Sequence, residues 1–304
     1  MRFRRSLIGV AALAVATVSL ASCSSGNNSA SGSKPTIVIG STNFEEQEIV
    51  ANMYGDVLSK AGYPVKVEPA LGTRAVVVPA LQHNQITLEP DYAASLLGYL
   101  HGGTPQAAGG QIDTAISADN AALSASGVTV LAASKALDTN VFAVTKATAS
   151  KDHLTTISSL APFASSMTLG GPPECPTFAG CEPGLTKVYG LNFASFKSLD
   201  EAGPLSVAAL KNGEVQVVEL FSSDGNVVSN NFVALTDDKH LEGADYIVPV
   251  IRKSAASPGV VAALASLNAK LTTDAISQLN LQVTADKKQP AAVAQAWLKS
   301  QGLI

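Results

Sequence analysis

The sequence predicts an α/β protein of two lobes with a helical tail, and three observations lead there. Short β-branched runs ending near Gly or Pro alternate with segments of helical period. The alternation fills two successive blocks, and after the last strand three helices follow with no strand between them. The 304 residues, 46% hydrophobic and 14% charged, give enough length and apolar material for two domains.

In the first block, residues 36–40 (Thr-Ile-Val-Ile-Gly) read as a buried strand closed by glycine. Asn43 is placed to cap the next helix, in which Ile49, Met53, Val57 and Leu58 share one face. Gly62 ends that helix and 65–67 begins a second strand. Residues 75–81 read as helix, 87–89 as strand, 93–100 and 114–125 as helices, and 128–132 as strand. Such an order indicates a mostly parallel sheet. In the second block 142–145, 167–169 and 215–220 are strands, with helices at 183–189 and 204–211. The strand 247–251 comes next, and then the helices 258–271, 273–279 and 290–301. No internal repeat is visible.

The N-terminus carries a processing signal. Residues 1–5 are basic and 7–20 apolar, too short a stretch to span a bilayer but suited to export. The segment ends in Leu20-Ala21-Ser22-Cys23, which resembles a bacterial lipobox. A signal peptide over 1–22, a lipidated Cys23 and a Ser/Gly/Asn-rich tether to residue 34 are expected. Two or more acyl chains would hold the protein on the outer face of the cytoplasmic membrane. With Cys23 assigned to lipid, Cys175 and Cys181 remain, six apart in a turn-rich segment of an exported protein. They are expected to form a disulfide shaping one loop.

Composition and motifs exclude several functions. Three of the 20 basic residues lie in the signal, leaving 17 against 24 acidic ones. A body of that sign has no electrostatic reason to bind nucleic acid. No apolar run reaches the roughly 18 residues of a membrane-spanning helix. His83, His101, His153 and His240 each stand alone, and no Gly-x-Ser-x-Gly elbow is present. The paired carboxylates Glu45-Glu46 and Asp237-Asp238 read as solvated turns or helix starts. Neither an enzyme nor a metal or cofactor is expected.

Four segments lie just after strands, where α/β sheets expose ligand sites. They are Gly40-Ser41-Thr42-Asn43-Phe44-Glu45-Glu46-Gln47, Leu71-Gly72-Thr73-Arg74, Glu89-Pro90-Asp91-Tyr92-Ala93-Ala94-Ser95 and Phe221-Ser222-Ser223-Asp224-Gly225. With Lys270-Leu271-Thr272-Thr273 and Leu279-Asn280 in the tail, their order resembles the glycine betaine/choline/osmoprotectant-binding proteins of ABC importers, the ProX or OpuC type. The resemblance runs from about residue 36 to 304. It implies a type II periplasmic-binding-protein fold: two α/β lobes, two hinge strands and a ligand between them. Lobe 1 would comprise 35–136 and 246–304, and lobe 2 residues 137–245. It also implies a monomeric receptor that closes on its solute and docks on membrane permease subunits.

By the same resemblance Tyr92, Ser95 and Gln47 match family ligand contacts, Asp138 a crossover position, and Phe221 an aromatic one. In the family a quaternary ammonium sits among aromatic rings, each contact worth about 0.5–2 kcal/mol. Here Asn140 stands where several betaine binders have tyrosine, Asp245 on another such place with Tyr246 one step along, and Thr42 replaces a common lysine. The cage is thereby reduced to Tyr92 and Phe221, aided by Tyr246, and a ligand more polar than betaine is an open alternative. Arg74 is placed either to meet a carboxylate bidentately or to lie as a rim charge. Read without the resemblance, Tyr92 is a filler residue and Gln47 and Ser95 are ordinary helix residues. Two further readings stay open: a receptor of this fold for a different polar or aromatic solute, and a lipoprotein sensor or adhesin without transport.

Overall fold

The computed structural model describes residues 34–101, 111–173, 175–200, 202–243 and 245–304. The signal, the lipobox with Cys23 and the tether up to residue 33 lie outside the described residues.

Two five-stranded sheets form in succession. The first unites β1 (Ile37–Gly40), β2 (Val65–Glu68), β3 (Leu88–Tyr92), β4 (Val128–Val130) and the much later β10 (Ile247–Arg252), in the order β2-β1-β3-β10-β4. Its helices are α1 (Glu45–Lys60), α2 (Arg74–Gln82), α3 (Ala93–Leu100) and α4 (Ile112–Ala122). The second sheet unites β5 (Asn140–Thr145), β6 (Thr168–Gly171), β7 (Ser195–Ser198), β8 (Val217–Phe221) and β9 (Phe232–Ala234) in the order β7-β6-β8-β5-β9. With it go α5 (Lys146–Asp152), the short α6 (Glu182–Gly184), α7 (Pro204–Lys211) and α8 (Gly225–Ser229). The chain then returns as β10 (Ile247–Arg252) and ends in α9 (Pro258–Asn268), α10 (Thr273–Thr284) and α11 (Pro290–Ser300).

Within each sheet the βαβ-linked strands are parallel: β1 pairs with β2 and β3, and β6 with β7 and β8. The strands that enter from the other half run antiparallel. β10 lies between β3 and β4, and β5 between β8 and β9. A strand arriving through a crossover rather than a helix has no handedness rule forcing it parallel. The mostly parallel expectation is therefore corrected at β10 and β5.

Burial explains the element positions. α1 places Ile49, Met53, Tyr54, Val57 and Leu58 in one core with Ile37, Ile39 and Leu88 of the sheet. Val260, Leu264, Leu267, Ile276, Leu279, Val293 and Leu298 of the last three helices join the same core. Helices with an apolar stripe must cover it, and α1 offers the matching surface. Phe142, Leu169, Leu185 and Val217 anchor a separate core in the second half, which also holds the Cys175–Cys181 disulfide.

Two antiparallel segments join the halves. Leu137 bridges Tyr246, and the Asp138 N–H donates to the Asp245 carbonyl at 2.9 Å. The Leu137 N–H donates to Thr273 Oγ1 (2.9 Å) and its carbonyl accepts from Ser222 Oγ (2.8 Å). This places α10 and the end of β8 on either side of the crossover. At Gly225 an added Cβ would come within 2.6 Å of Leu281 Cβ and 2.9 Å of the Ser277 carbonyl oxygen, so only glycine allows α8 to approach α10.

Candidate functional site

β1 and β3 end at the crossover, and the helices that follow start there. Asn43 does not cap α1: Phe44 holds the N-cap position without a side-chain bond, and the Asn43 N–H donates instead to the Gly72 carbonyl (3.0 Å). The turn at 40–44 is thereby tied to the turn before α2. Glu45 at the start of α1 is exposed, but the next two residues turn inward: Glu46 (1% exposed) and Gln47 (2%) are buried, which for Glu46 corrects the reading as a solvated helix start.

A polar network grows from Glu46. Its Oε1 accepts from the Tyr92 hydroxyl at 2.8 Å and its Oε2 from Asn280 Nδ2 at 2.6 Å. Asn280 also donates to the Ser223 carbonyl (3.1 Å). The Ser223 hydroxyl, which lies against Glu46, donates to Asp138 Oδ1 at 2.7 Å. The chain of bonds therefore runs from α1 and β3 through α10 to the β8–α8 turn and the crossover. The Gln47 side chain reaches the Tyr92 hydroxyl, yet Gln47 Oε1 and Asn280 Oδ1 are buried with no hydrogen-bond partner.

A second network adjoins it. Arg74, the first residue of α2, donates through Nε and Nη2 to Asp91 Oδ1 at 3.0 and 2.8 Å. Asp91 accepts in addition from the Tyr92 N–H at 2.7 Å. The carboxylate of Asp245 accepts from the Ser95 N–H (2.8 Å) and the Ser95 hydroxyl (2.6 Å), capping the first turn of α3 from the crossover. On the far wall Asn140 faces Phe221 across β5 and β8, and its side chain bonds Glu242. The disulfide loop borders this wall: Cys181 Sγ lies 2.9 Å from Glu219 Oε2, and Gly180 lies close against Glu242.

The electrostatics are one-sided. Burial raises the carboxyl pKa of Glu46, Asp138, Asp245 and Glu242, and mutual repulsion of carboxylates adds to it at Asp138, Asp245 and Glu242. The Tyr92 hydroxyl is also pushed up, first by burial and then by Glu46 and Asp138. The guanidinium of Arg74 acts on Asp245 but is bonded to Asp91. Such a site gathers more carboxyl groups than cationic partners and has hydrogen-bond acceptors to spare, so a cation that restores their ionised form suits it.

Over residues 35–300 the chain matches the family described as the substrate binding domain of ABC-type glycine betaine transport system. It belongs to that family. Among its relatives is the glycine-betaine-binding protein of Pseudomonas aeruginosa, 25% identical over 281 residues, covering 88% of this chain and 89% of the relative. The carnitine transport binding protein OpuCC of Listeria monocytogenes is 27% identical over 167 residues, 53% of either chain. A solved glycine betaine/carnitine/choline ABC transporter structure superposes with a TM-score of 0.79 at 23% identity, over 88% of this chain and 99% of that one. The fold is therefore the periplasmic-binding-protein fold of the family, and the chain is a solute-binding protein of the ABC-importer type.

Within this family fold, the residues singled out in the sequence are distributed unevenly. Tyr92, Gln47 and Asp138 join the Glu46 network, and Arg74 and Ser95 the Asp91 and Asp245 pairs. Phe221, Asn140 and Tyr246 are half-buried: the first two face each other across β5 and β8, while Tyr246 lies at the crossover, its carbonyl accepting from the Ala93 N–H. Sequence reasoning missed Glu46, Ser223 and Asn280, and read Asp245 only as a lost tyrosine. Glu46 sits in the opening motif and Asn280 in the tail motif, so the signal was present, but the reading of Glu46 as a solvated helix start concealed it, and no local pattern pointed from Asn280 to Glu46.

Proposed function

We propose that the protein is the extracytoplasmic receptor of an ABC importer for a quaternary-amine compatible solute of the glycine betaine/choline class, delivered to membrane permease subunits. The observation that carries this reading is the buried network Glu46–Tyr92–Asn280–Ser223–Asp138, which links both halves and leaves carboxylate charge and amide acceptors unneutralised. The negative shell would draw in the cationic head, and Tyr92 and Phe221 would offer it ring faces. The lobes would comprise 35–136 plus 246–304 and 137–245, hinged where Leu137 meets Tyr246. Binding then shifts an open–closed balance without chemistry.

The test is calorimetry of the full chain with betaine, choline, carnitine, ectoine, proline and sugars, after a thermal-shift screen. A ligand at a hundred times its Kd adds about 2.7 kcal/mol to stability, which such a screen detects. Saturable binding of a quaternary amine supports the reading. Silence across the amines with binding of a sugar overturns the ligand class.

Attachment through a lipidated Cys23 belongs to the same proposal. Cys23→Ala should release the protein from membranes into the medium, read by fractionation and immunoblot. Retention of the variant on membranes would contradict the anchor.

A further inference from the structure

We infer that the site selects an organic cation without a carboxylate, and that Asp245 is the residue that sets this selection. The inference rests on the solute-receptor reading above and narrows it. Two groups beside the network are suited to hold a ligand carboxylate: the start of α3 with Ser95, and the guanidinium of Arg74. Both are taken by the chain's own carboxylates. Asp245 accepts from the Ser95 N–H and hydroxyl at 2.8 and 2.6 Å. Asp91 receives Arg74 through two nitrogens.

A ligand carboxylate would have to displace one of these pairs, or sit beside Glu46, Asp138 and Asp245, where Arg74 is already bonded to Asp91. Like charges juxtaposed in this way are a means of rejecting a partner. Independently, two buried acceptors adjoining the network, Gln47 Oε1 (residue 2% exposed) and Asn280 Oδ1 (7%), have no donor. A hydroxyl or N–H of the ligand would satisfy them, and a carboxylate, which donates nothing, would not. The acceptor surplus and the self-occupied anion positions point to the same chemistry.

Glycine betaine and choline are the discriminating probes, because they share a trimethylammonium head and differ in a carboxylate against a hydroxymethyl group. Calorimetry on the full chain should show choline bound at least about a hundredfold more tightly than betaine. Asp245→Ala frees the Ser95 N–H and hydroxyl, and should bring betaine within about tenfold of choline. Should that variant fail to fold, the wild-type ratio decides alone. Betaine bound as tightly as choline by the wild type, or a ratio unchanged in a folded Asp245→Ala, overturns the inference while leaving the receptor for quaternary amines intact. Binding of neither probe overturns the inference, and silence with carnitine as well overturns the quaternary-amine reading too.

Discussion

At the scale of single residues, the site accepts a stability cost in the ligand-free protein. Asp138 is half-buried, desolvation raises its pKa well above the usual carboxylate range, and only the hydroxyl and N–H of Ser223 stabilise its charge by hydrogen bonds. Asp138→Asn should therefore change two quantities in opposite directions. The melting temperature of the ligand-free chain near neutral pH should rise, and affinity for the cationic ligand should fall about tenfold, the equivalent of ~1.4 kcal/mol. A variant that loses stability and keeps affinity would assign Asp138 to structure alone. Of the residues gathered here, Tyr92, Gln47, Ser95 and Asp138 were singled out in the sequence through the family resemblance, and Arg74 through its turn after a strand. Asp245 was not legible as a cap for α3, because the two groups are 150 residues apart and no local pattern links them. The pairing of Glu46 with Asn280, 234 residues apart, was hidden for the same reason.

At the scale of elements, the Arg74–Asp91 pair ties the start of α2 to the end of β3. The Asp91 side chain is 4% exposed and that of Arg74 is 27%. Arg74→Ala leaves a buried carboxylate whose remaining partner of note is the Tyr92 N–H. The loss should be about 3 kcal/mol, read by urea unfolding. A loss within about 0.5 kcal/mol would mean that the pair behaves as a surface ion pair. Helices were legible from periodicity, and the expected 93–100 and 204–211 match α3 and α7 end to end. β7 and β9 escaped the reading. β7 is an edge strand of sequence Ser-Phe-Lys-Ser with little burial, and β9 has three residues, so neither shows the apolar pattern of an inner strand. The expected helix at 183–189 is present as the short α6 continuing into a π-helix, Leu185–Tyr189, next to the disulfide loop.

At the scale of the whole molecule, the buried and half-buried acids give an unusual response to pH. Glu46, Glu89, Asp119, Asp138, Asp245 and Glu242 are all pushed upward, in each case chiefly by burial, and Asp119 to about 8. In the unfolded chain these groups ionise near pH 4. Between about pH 4 and about pH 8 the unfolded state therefore binds fewer protons than the folded one, and stability falls as pH rises. The ligand-free chain should melt at a higher temperature near pH 5 than near pH 8, and Asp119→Asn should flatten that slope. A melting temperature that falls toward pH 5 would mean that these carboxyls are ionised in the folded state. A bound cation favours their ionised form, so affinity should increase with pH over the same range.

The sequence by itself determined the α/β alternation, the helical tail, the Cys175–Cys181 pairing and the family to which the chain belongs. Periodicity, turn residues and spaced motifs are local, and local signals survive in a linear string. Only the tertiary structure decided which charges meet. It buried Glu46, returned Asn280 to it, and carried Asp245 through the crossover to the start of α3. The reason is physical: an ionisable side chain takes its role from its dielectric surroundings and its partners, and folding brings those partners together across sequence separations that no periodicity records.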